Sequence, residues 1–280
     1  MLPPELLSRG AGIAAVAALV FTIVAARYLL LAGLAWWLAY VWRQPQRWLR
    51  KIQGRWPQPK QIRSEILHSL GTSAIFALLI LGTLLFDRYV HPCLYHDVSE
   101  KGLLWFWLSI PVLMVVHDTY FYWIHRLMHH PRLFGLLHRV HHDSRTPTPW
   151  AALSFHPLEA LLEFAIVPVI VWILPLHPLA LMLFATWSLL WNVAGHLGFE
   201  FFPKRFVRSP AGKWINTPTH HDLHHRYGRY NFSLYFNIWD RLMGTNHPRY
   251  AEIFEQVAPS GKKDPAAVAR ATAGGQDGGA

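Results

Sequence analysis

Long runs of apolar residues separated by short polar stretches make up most of this chain. An apolar helix of about 20 residues crosses the hydrocarbon core of a bilayer. Five runs approach that length, at about residues 20–41, 67–86, 103–124, 158–174 and 179–196. The last two are short, with Pro168 at a kink position in one and Pro175 at a turn position between them, which favours a hairpin that crosses the bilayer incompletely. The pattern predicts an all-α polytopic membrane protein.

The composition supports this prediction. Hydrophobic residues make up 52% of the 280 residues and charged residues only 15%, with 14 tryptophans. Arg27 interrupts the first run, and we expect its side chain to snorkel toward one interface. The single cysteine, Cys93, excludes an internal disulfide framework and a cysteine-rich metal site. The net charge of +10 is spread over loops that flank apolar runs, so we expect a membrane and no nucleic acid as partner.

The distribution of basic residues predicts the orientation in the membrane. The segment between the first two runs is strongly basic, whereas residues 87–102 contain only Arg88 and Lys101. The basic residues of that segment are Arg43, Arg47, Arg50, Lys51, Arg55, Lys60 and Arg63. The positive-inside rule places residues 43–63 in the cytoplasm. Counting crossings from there brings the segments after the third and fifth runs back to the cytoplasmic face, where they form a helical cap.

Three histidine clusters lie in those returning segments. They read HRLMH, HRVHH and HDLHH, and their ligand candidates are His125, His129, His138, His141, His142, His221, His224 and His225. Residues four apart share a helix face, so such pairs can bind one metal ion. Eight imidazoles exceed the tetrahedral shell of a single zinc, and they suit iron, copper, nickel or zinc. The spacing predicts two metal ions, and the alternative is a histidine-rich interfacial tract.

Other polar residues share helix faces with these clusters. Asp118 precedes His125 by seven residues, and we expect its carboxylate to fix an imidazole tautomer. Asn192, His196 and Glu200 follow one another at intervals of four. We predict His196 as a ninth ligand, with Asn192 holding a metal-bound water and Glu200 orienting His196. His156 before Pro157 indicates a helix start, and the remaining histidines lack ligand-like spacing.

The run LHRVHHDSRTPTPWAALSFHPLE, followed by THHDLHH, YNF and WDRLMGT, resembles the fatty acid hydroxylase/sterol desaturase superfamily of membrane di-iron oxygenases. The most similar type is the sterol C-5 desaturase, or lathosterol oxidase, and the resemblance covers about residues 103–248. It divides the chain into anchor spans with a basic loop (1–102), a catalytic domain (103–257) and a disordered tail (258–280). It implies that the eight cluster histidines bind two non-heme iron ions.

The resemblance also implies O2-dependent desaturation or hydroxylation of a sterol-like or long-chain lipid. Where some members have a further HxxxH, this chain has Asn192 and His196, so only the second position is a histidine. No b-type cytochrome domain is recognisable, so we expect a separate electron donor, a ferredoxin or a b-type cytochrome with its reductase. Arginines around the clusters would face lipid headgroups or such a donor. The alternatives are a fatty acid or sphingolipid hydroxylase and a non-catalytic metal-binding or transport protein.

Overall fold

The structure, a computed structural model, describes residues 10–42, 49–91 and 93–259. This part of the chain is mostly helical, with α1 (Gly10–Trp36), α2 (Pro59–Tyr89), α3 (Gly102–Met128), α4 (Pro131–Leu137), α5 (Arg139–His142), α6 (Pro157–Phe164), α7 (Ile166–Ile173), α8 (Pro178–Gly195), α9 (Pro218–Tyr227), α10 (Ile238–Leu242) and α11 (Tyr250–Val257). Two short antiparallel strands, β1 (Arg50–Lys51) and β2 (Phe199–Glu200), pair Arg50 with Glu200. The all-α prediction is confirmed.

Four of the described helices are long and apolar enough to cross a membrane. They are α1 with the π-helical turn that extends it to Val41, α2, α3 and α8. In each of them only 22–28% of the most apolar window is buried inside the protein. Large apolar side chains such as Leu30 and Leu104 are 71% and 81% exposed. So much outward apolar surface is stable only in lipid, and the protein is therefore an integral membrane protein.

Arg27 does not reach an interface as the sequence predicted. The first span runs from Gly10 to Val41, so Arg27 lies near its middle rather than near one end. Its side chain points into the helix bundle, where Nη1 lies 3.5 Å from Thr186 Oγ1 of α8. The apolar run predicted a span from about residue 20, whereas the helix starts at Gly10.

The fourth apolar run does not form a single helix. It is divided at Ala165 into α6 and α7, each eight residues long. Pro168 has no N–H to donate to the carbonyl of Phe164, and it lies in the first turn of α7. The turn after α7 reaches the α2–α3 loop, because Leu176 accepts from Tyr95 N at 3.1 Å. The hairpin of α6, α7 and α8 therefore extends to the level of that loop.

A short 3-10 segment, Pro149–Leu153, attaches the loop after the second histidine cluster to the membrane spans through hydrogen bonds. The carbonyl of Trp150 accepts from Tyr28 Oη of α1 at 2.8 Å and from Ser69 Oγ of α2 at 2.9 Å. The carboxyl of Glu65, only 1% exposed, bonds Thr148 and Gln61. Buried polar groups on two spans thus fix the loop that follows α5.

All three histidine clusters lie at one end of the bundle, opposite the α2–α3 loop. The end of α3, helices α4 and α5, the end of α8, and α9 meet there. The predicted convergence is confirmed, whereas the cytoplasmic side remains a prediction. Arg43 and Arg47 of the basic loop, and residues 260–280 of the predicted tail, lie outside the described residues.

Candidate metal centre

The nine predicted histidines form two groups whose ligand atoms lie within 4.8 Å of one another. Group A contains His125, His129, His138, His142 and His224, and group B contains His141, His196, His221 and His225. The two groups adjoin, since the rings of His142 and His225 are 4.7 Å apart. The two-site prediction agrees with this arrangement.

Helix geometry explains why each HxxHH cluster is divided between the groups. On α5 and the residue before it, His138 and His142 are four apart and share a face, so His141 points elsewhere. On α9 the same spacing joins His221 and His225 in group B and leaves His224 to group A. Neither cluster builds a site alone, and each site requires a second and a third segment of the chain.

The segments that carry the ligands begin and end at strong local signals. The helix α3 ends at Met128, two residues before the His130–Pro131 step that disfavours helical geometry. Helix α9 starts with Thr217, whose side chain accepts from His220 N, followed by Pro218 at the first helical position. It ends at Tyr227, and the next residue, Gly228, has a left-handed φ of 65°. Three turns of helix are therefore held at both ends.

Both groups are shielded from water. Five of the nine imidazoles are at most 3% exposed, namely His125, His138, His141, His196 and His224. Burial disfavours the charged form of an imidazole, and it lowers the pKa of His142 to about 3 and that of His196 to about 4. The pKa of His138, His141, His221, His224 and His225 is likewise held well below the usual value by burial. The rings are neutral at physiological pH, as metal ligation requires.

Backbone carbonyls set the tautomer of three ligands. Nδ1 of His125 donates to the carbonyl of Phe232 at 2.7 Å, and Nδ1 of His196 donates to that of Asn192 at 2.7 Å. Nδ1 of His224 donates to the carbonyl of Tyr230 at 2.8 Å. A carbonyl only accepts, so Nδ1 carries the proton in each ring and Nε2 presents a lone pair toward the group.

A carboxylate orients a fourth ligand, and the sequence did not predict it. Glu159 Oε1 lies 2.6 Å from His138 Nδ1, and the Glu159 side chain is fully buried. A carboxylate behind a ligating imidazole fixes its orientation and increases its basicity. The sequence gives no spacing signal for this contact, because Glu159 follows His138 by 21 residues.

The geometry of the nitrogen atoms fits a bound cation in each group. In group B, Nε2 of His196 lies 3.0 Å from Nε2 of His221 and 3.2 Å from Nε2 of His225. In group A, Nε2 of His142 and of His224 are 3.0 Å apart. In group A as well, the buried Nε2 of His129 has no hydrogen-bond partner among the described residues. Converging lone pairs repel one another unless a positive charge lies between them, and a metal ion supplies it.

Asp118 contacts backbone rather than an imidazole. Its Oδ1 accepts from Leu234 N at 3.0 Å and from Tyr235 N at 2.7 Å. Asp240 accepts from Phe232 N and Ser233 N, each at 2.9 Å. The two carboxylates thus hold the loop whose Phe232 carbonyl orients His125. The predicted effect of Asp118 on a tautomer is therefore indirect, and its catalytic role remains a prediction.

Asn192 and Glu200 also have other contacts than the sequence suggested. The side chain of Asn192 donates to the carbonyl of Ala152 at 2.7 Å, while its backbone carbonyl orients His196. Glu200 accepts from Thr219 N at 3.1 Å and from Thr219 Oγ1 at 2.6 Å, so it anchors the start of α9 instead of His196. Their predicted catalytic roles stay predictions.

The fold and the site define a polytopic membrane protein with two adjoining groups of imidazoles, each of which could hold a metal ion. Residues 110–245 match the model of the Fatty acid hydroxylase family. The chain is 33% identical over 193 residues to a Delta(7)-sterol 5(6)-desaturase of Gibberella zeae, covering 69% of this chain and 58% of that protein. These matches confirm the resemblance to the fatty acid hydroxylase/sterol desaturase superfamily. No solved structure matches the chain significantly.

Two further relatives have similar names. A Delta(7)-sterol 5(6)-desaturase of Aspergillus fumigatus is 33% identical over 209 residues, covering 67% of this chain and 63% of the relative. The human lathosterol oxidase is 30% identical over 187 residues, covering 66% of this chain and 61% of the relative. The chain thus spans about three fifths of the length of these curated relatives.

Proposed function

We propose that the protein is a membrane-bound non-heme di-iron oxygenase that uses O2 and external electrons to desaturate or hydroxylate a lipid. The observation that carries the proposal is the pair of adjoining, buried, imidazole-only groups at one end of a membrane bundle. The named relatives act on sterols, which favours a sterol-like substrate over a long-chain acyl lipid.

Two iron ions fit the donor set, one held by group A and one by group B. Iron supplies, when bound there, the oxidising power from O2 that removal of hydrogen from an unactivated C–H bond requires. The chain itself keeps the imidazoles neutral, directs their Nε2 atoms inward and excludes bulk water from the site. We further propose that Asn192 and Glu200 support group B through the backbone of α8 and the start of α9, and that Asp118 supports group A.

A non-catalytic transporter is the second candidate, and the position of the ligands argues against it. A transport pathway distributes polar ligands over the depth of the membrane. Here both groups lie at the same end of the bundle, and no third group of metal-ligating side chains is found at another depth among the described residues. Redox chemistry on a membrane lipid accounts better for this arrangement.

Desaturation and hydroxylation share the first hydrogen abstraction, so only the product distinguishes the two reactions. The test is lipid mass spectrometry of cells with and without the gene, grown under labelled dioxygen. A product lighter by two hydrogens and free of label identifies a desaturase, our expected result. A product with one labelled oxygen identifies a hydroxylase. An unchanged lipid profile, despite confirmed expression and bound iron, contradicts both and favours the non-catalytic candidate.

We propose that the metal centre faces the cytoplasm, where a separate ferredoxin or b-type cytochrome delivers electrons. The support is the excess of Lys and Arg in residues 43–63 over residues 87–102. We expect a membrane-impermeant maleimide to label Cys93, in the α2–α3 loop, in intact cells. The matched control is the Cys93→Ser chain with a cysteine introduced at Arg139, on the histidine side, which should react only after the membrane is opened. The reverse pattern contradicts the orientation.

A further inference from the structure

Two adjoining cavities that share part of their walls lie in the bundle beneath the metal centre. The lower cavity, about 300 Å³, extends to Leu94 and Pro178 near the α2–α3 loop. The upper cavity, about 140 Å³, extends to Asn192, Phe155 and Leu234. The ring of Phe155 lies 5.4 Å from that of His141. A lipid entering from below can therefore reach the wall of the metal centre.

The walls are mostly apolar, and the ionisable side chains that line them lie on three neighbouring helices. Arg27 of α1 and His117 of α3 line both cavities, and Glu163 of α6 lines the upper one. We call Arg27, His117 and Glu163 the polar station. Ionisable side chains at membrane depth are costly, and they usually mark a functional site.

The charged groups of the polar station are not satisfied by one another. Arg27 Nε is buried without a hydrogen-bond partner among the described residues, and Nη1 has only the 3.5 Å contact with Thr186. The carboxyl of Glu163 forms no hydrogen bond and no ion pair within the described part of the chain. A buried donor of Arg27 and the carboxyl of Glu163, which line the same cavity, can therefore each bond to a ligand there.

The station lies one to three helical turns below the metal ligands. Glu163 follows Glu159, which contacts His138, by four residues, which is about 6 Å along a helix. His117 precedes His125 by eight residues, or about 12 Å, and Thr186 precedes His196 by ten residues, or about 15 Å. A lipid whose hydroxyl is fixed at this level presents carbons about 6–15 Å from that hydroxyl to the metal centre.

We propose that the polar station binds the neutral hydroxyl group of a sterol-sized lipid substrate and so selects the carbon that is oxidised. A hydroxyl accepts a hydrogen bond from Arg27 and donates one to Glu163, whereas an ether or a sulfate ester has no hydrogen to donate to Glu163. The apolar walls around the station accommodate the hydrocarbon body. This inference rests on the proposed function, because it names the substrate class of the same site.

The test measures lipid binding, so it does not depend on turnover. Binding of tritiated cholesterol to the purified iron-loaded protein in nanodiscs is competed with cholesterol, its methyl ether and its sulfate ester. We expect the free hydroxyl to bind at least about tenfold more tightly than the ether, because a buried polar site rejects an analogue that leaves its groups unpaired. Arg27→Met and Glu163→Leu should reduce this ratio to about twofold or less.

Two variants serve as matched controls. Glu163→Gln should keep the preference, since the amide still accepts a hydrogen bond. Thr83→Val changes another polar residue of the lower cavity, whose hydroxyl already bonds Leu79 O at 2.9 Å, and it should also keep the preference. Iron content and thermal unfolding of each variant report whether it folds.

Three results would contradict hydroxyl binding by the polar station. They are no saturable cholesterol binding by the wild type, equal binding of the alcohol and the ether, and tighter binding of the sulfate ester. Retention of the preference by well-folded Arg27→Met and Glu163→Leu would do the same. Oxidation of lipids is measured on the same preparations. A hydroxyl preference without oxidation would contradict the proposed function alone, and oxidation without that preference would contradict the station alone.

Discussion

Replacing His196 by alanine is expected to remove one of two bound metal ions and to abolish turnover. His196 lies at the centre of group B, because its Nε2 is within 3.2 Å of Nε2 of His141, His221 and His225. Three imidazoles without it leave an incomplete shell, while the five histidines of group A are unchanged. Elemental analysis of protein produced with excess iron should show the content falling from about two ions per chain to about one.

His68→Ala is the matched control for this loss. His68 is exposed on α2, where its ring bonds Ser64 O of the previous turn, so its removal should change neither metal content nor turnover. Two ions retained by His196→Ala, or equal losses in both variants, would refute the assignment of group B. Zinc in protein prepared without added iron is not decisive, because zinc also binds imidazole well.

The second large effect is expected for Asp118→Ala. This change leaves the buried backbone N–H groups of Leu234 and Tyr235 without their acceptor. Each unsatisfied buried donor costs roughly 1–3 kcal/mol, so the variant should lose about 2–6 kcal/mol of stability. The loop that bears the Phe232 carbonyl should loosen, and group A should lose its metal before group B.

Thermal unfolding and metal content measure both consequences of Asp118→Ala. Asp118→Asn keeps one acceptor oxygen in nearly the same volume and should show a smaller fall in both. Wild-type stability in Asp118→Ala would mean that Asp240 alone holds the loop, through its bonds to Phe232 and Ser233. The proposed support of group A by Asp118 would then be wrong.

The sequence predicted which histidines come together because helical spacing is a local property. His125 and His129, or His221 and His225, are recognisable as pairs from four-residue intervals alone. Their division into two groups was not predictable, since it depends on which faces of α5 and α9 meet across the fold. The same limit applied to Glu159, whose contact with His138 joins distant segments.

The predicted spans were confirmed where apolar runs were long and unbroken. The fourth run failed as a single helix because one proline, Pro168, interrupts the hydrogen-bond ladder, and run length alone carries no such information. The predicted depth of Arg27 in the membrane was wrong for a related reason, since that depth depends on where α1 begins. Its inward direction depends on packing against α8, which a single sequence does not encode locally.

The main-chain acceptors behind the histidines have a consequence for how this site tolerates genetic change. The carbonyls that orient His125, His196 and His224 belong to Phe232, Asn192 and Tyr230, and a carbonyl is present whatever side chain the codon specifies. Missense changes there leave the acceptors in place as long as the backbone keeps its path. His138 has no such protection, because its partner is the Glu159 side chain, and a single nucleotide change can delete it.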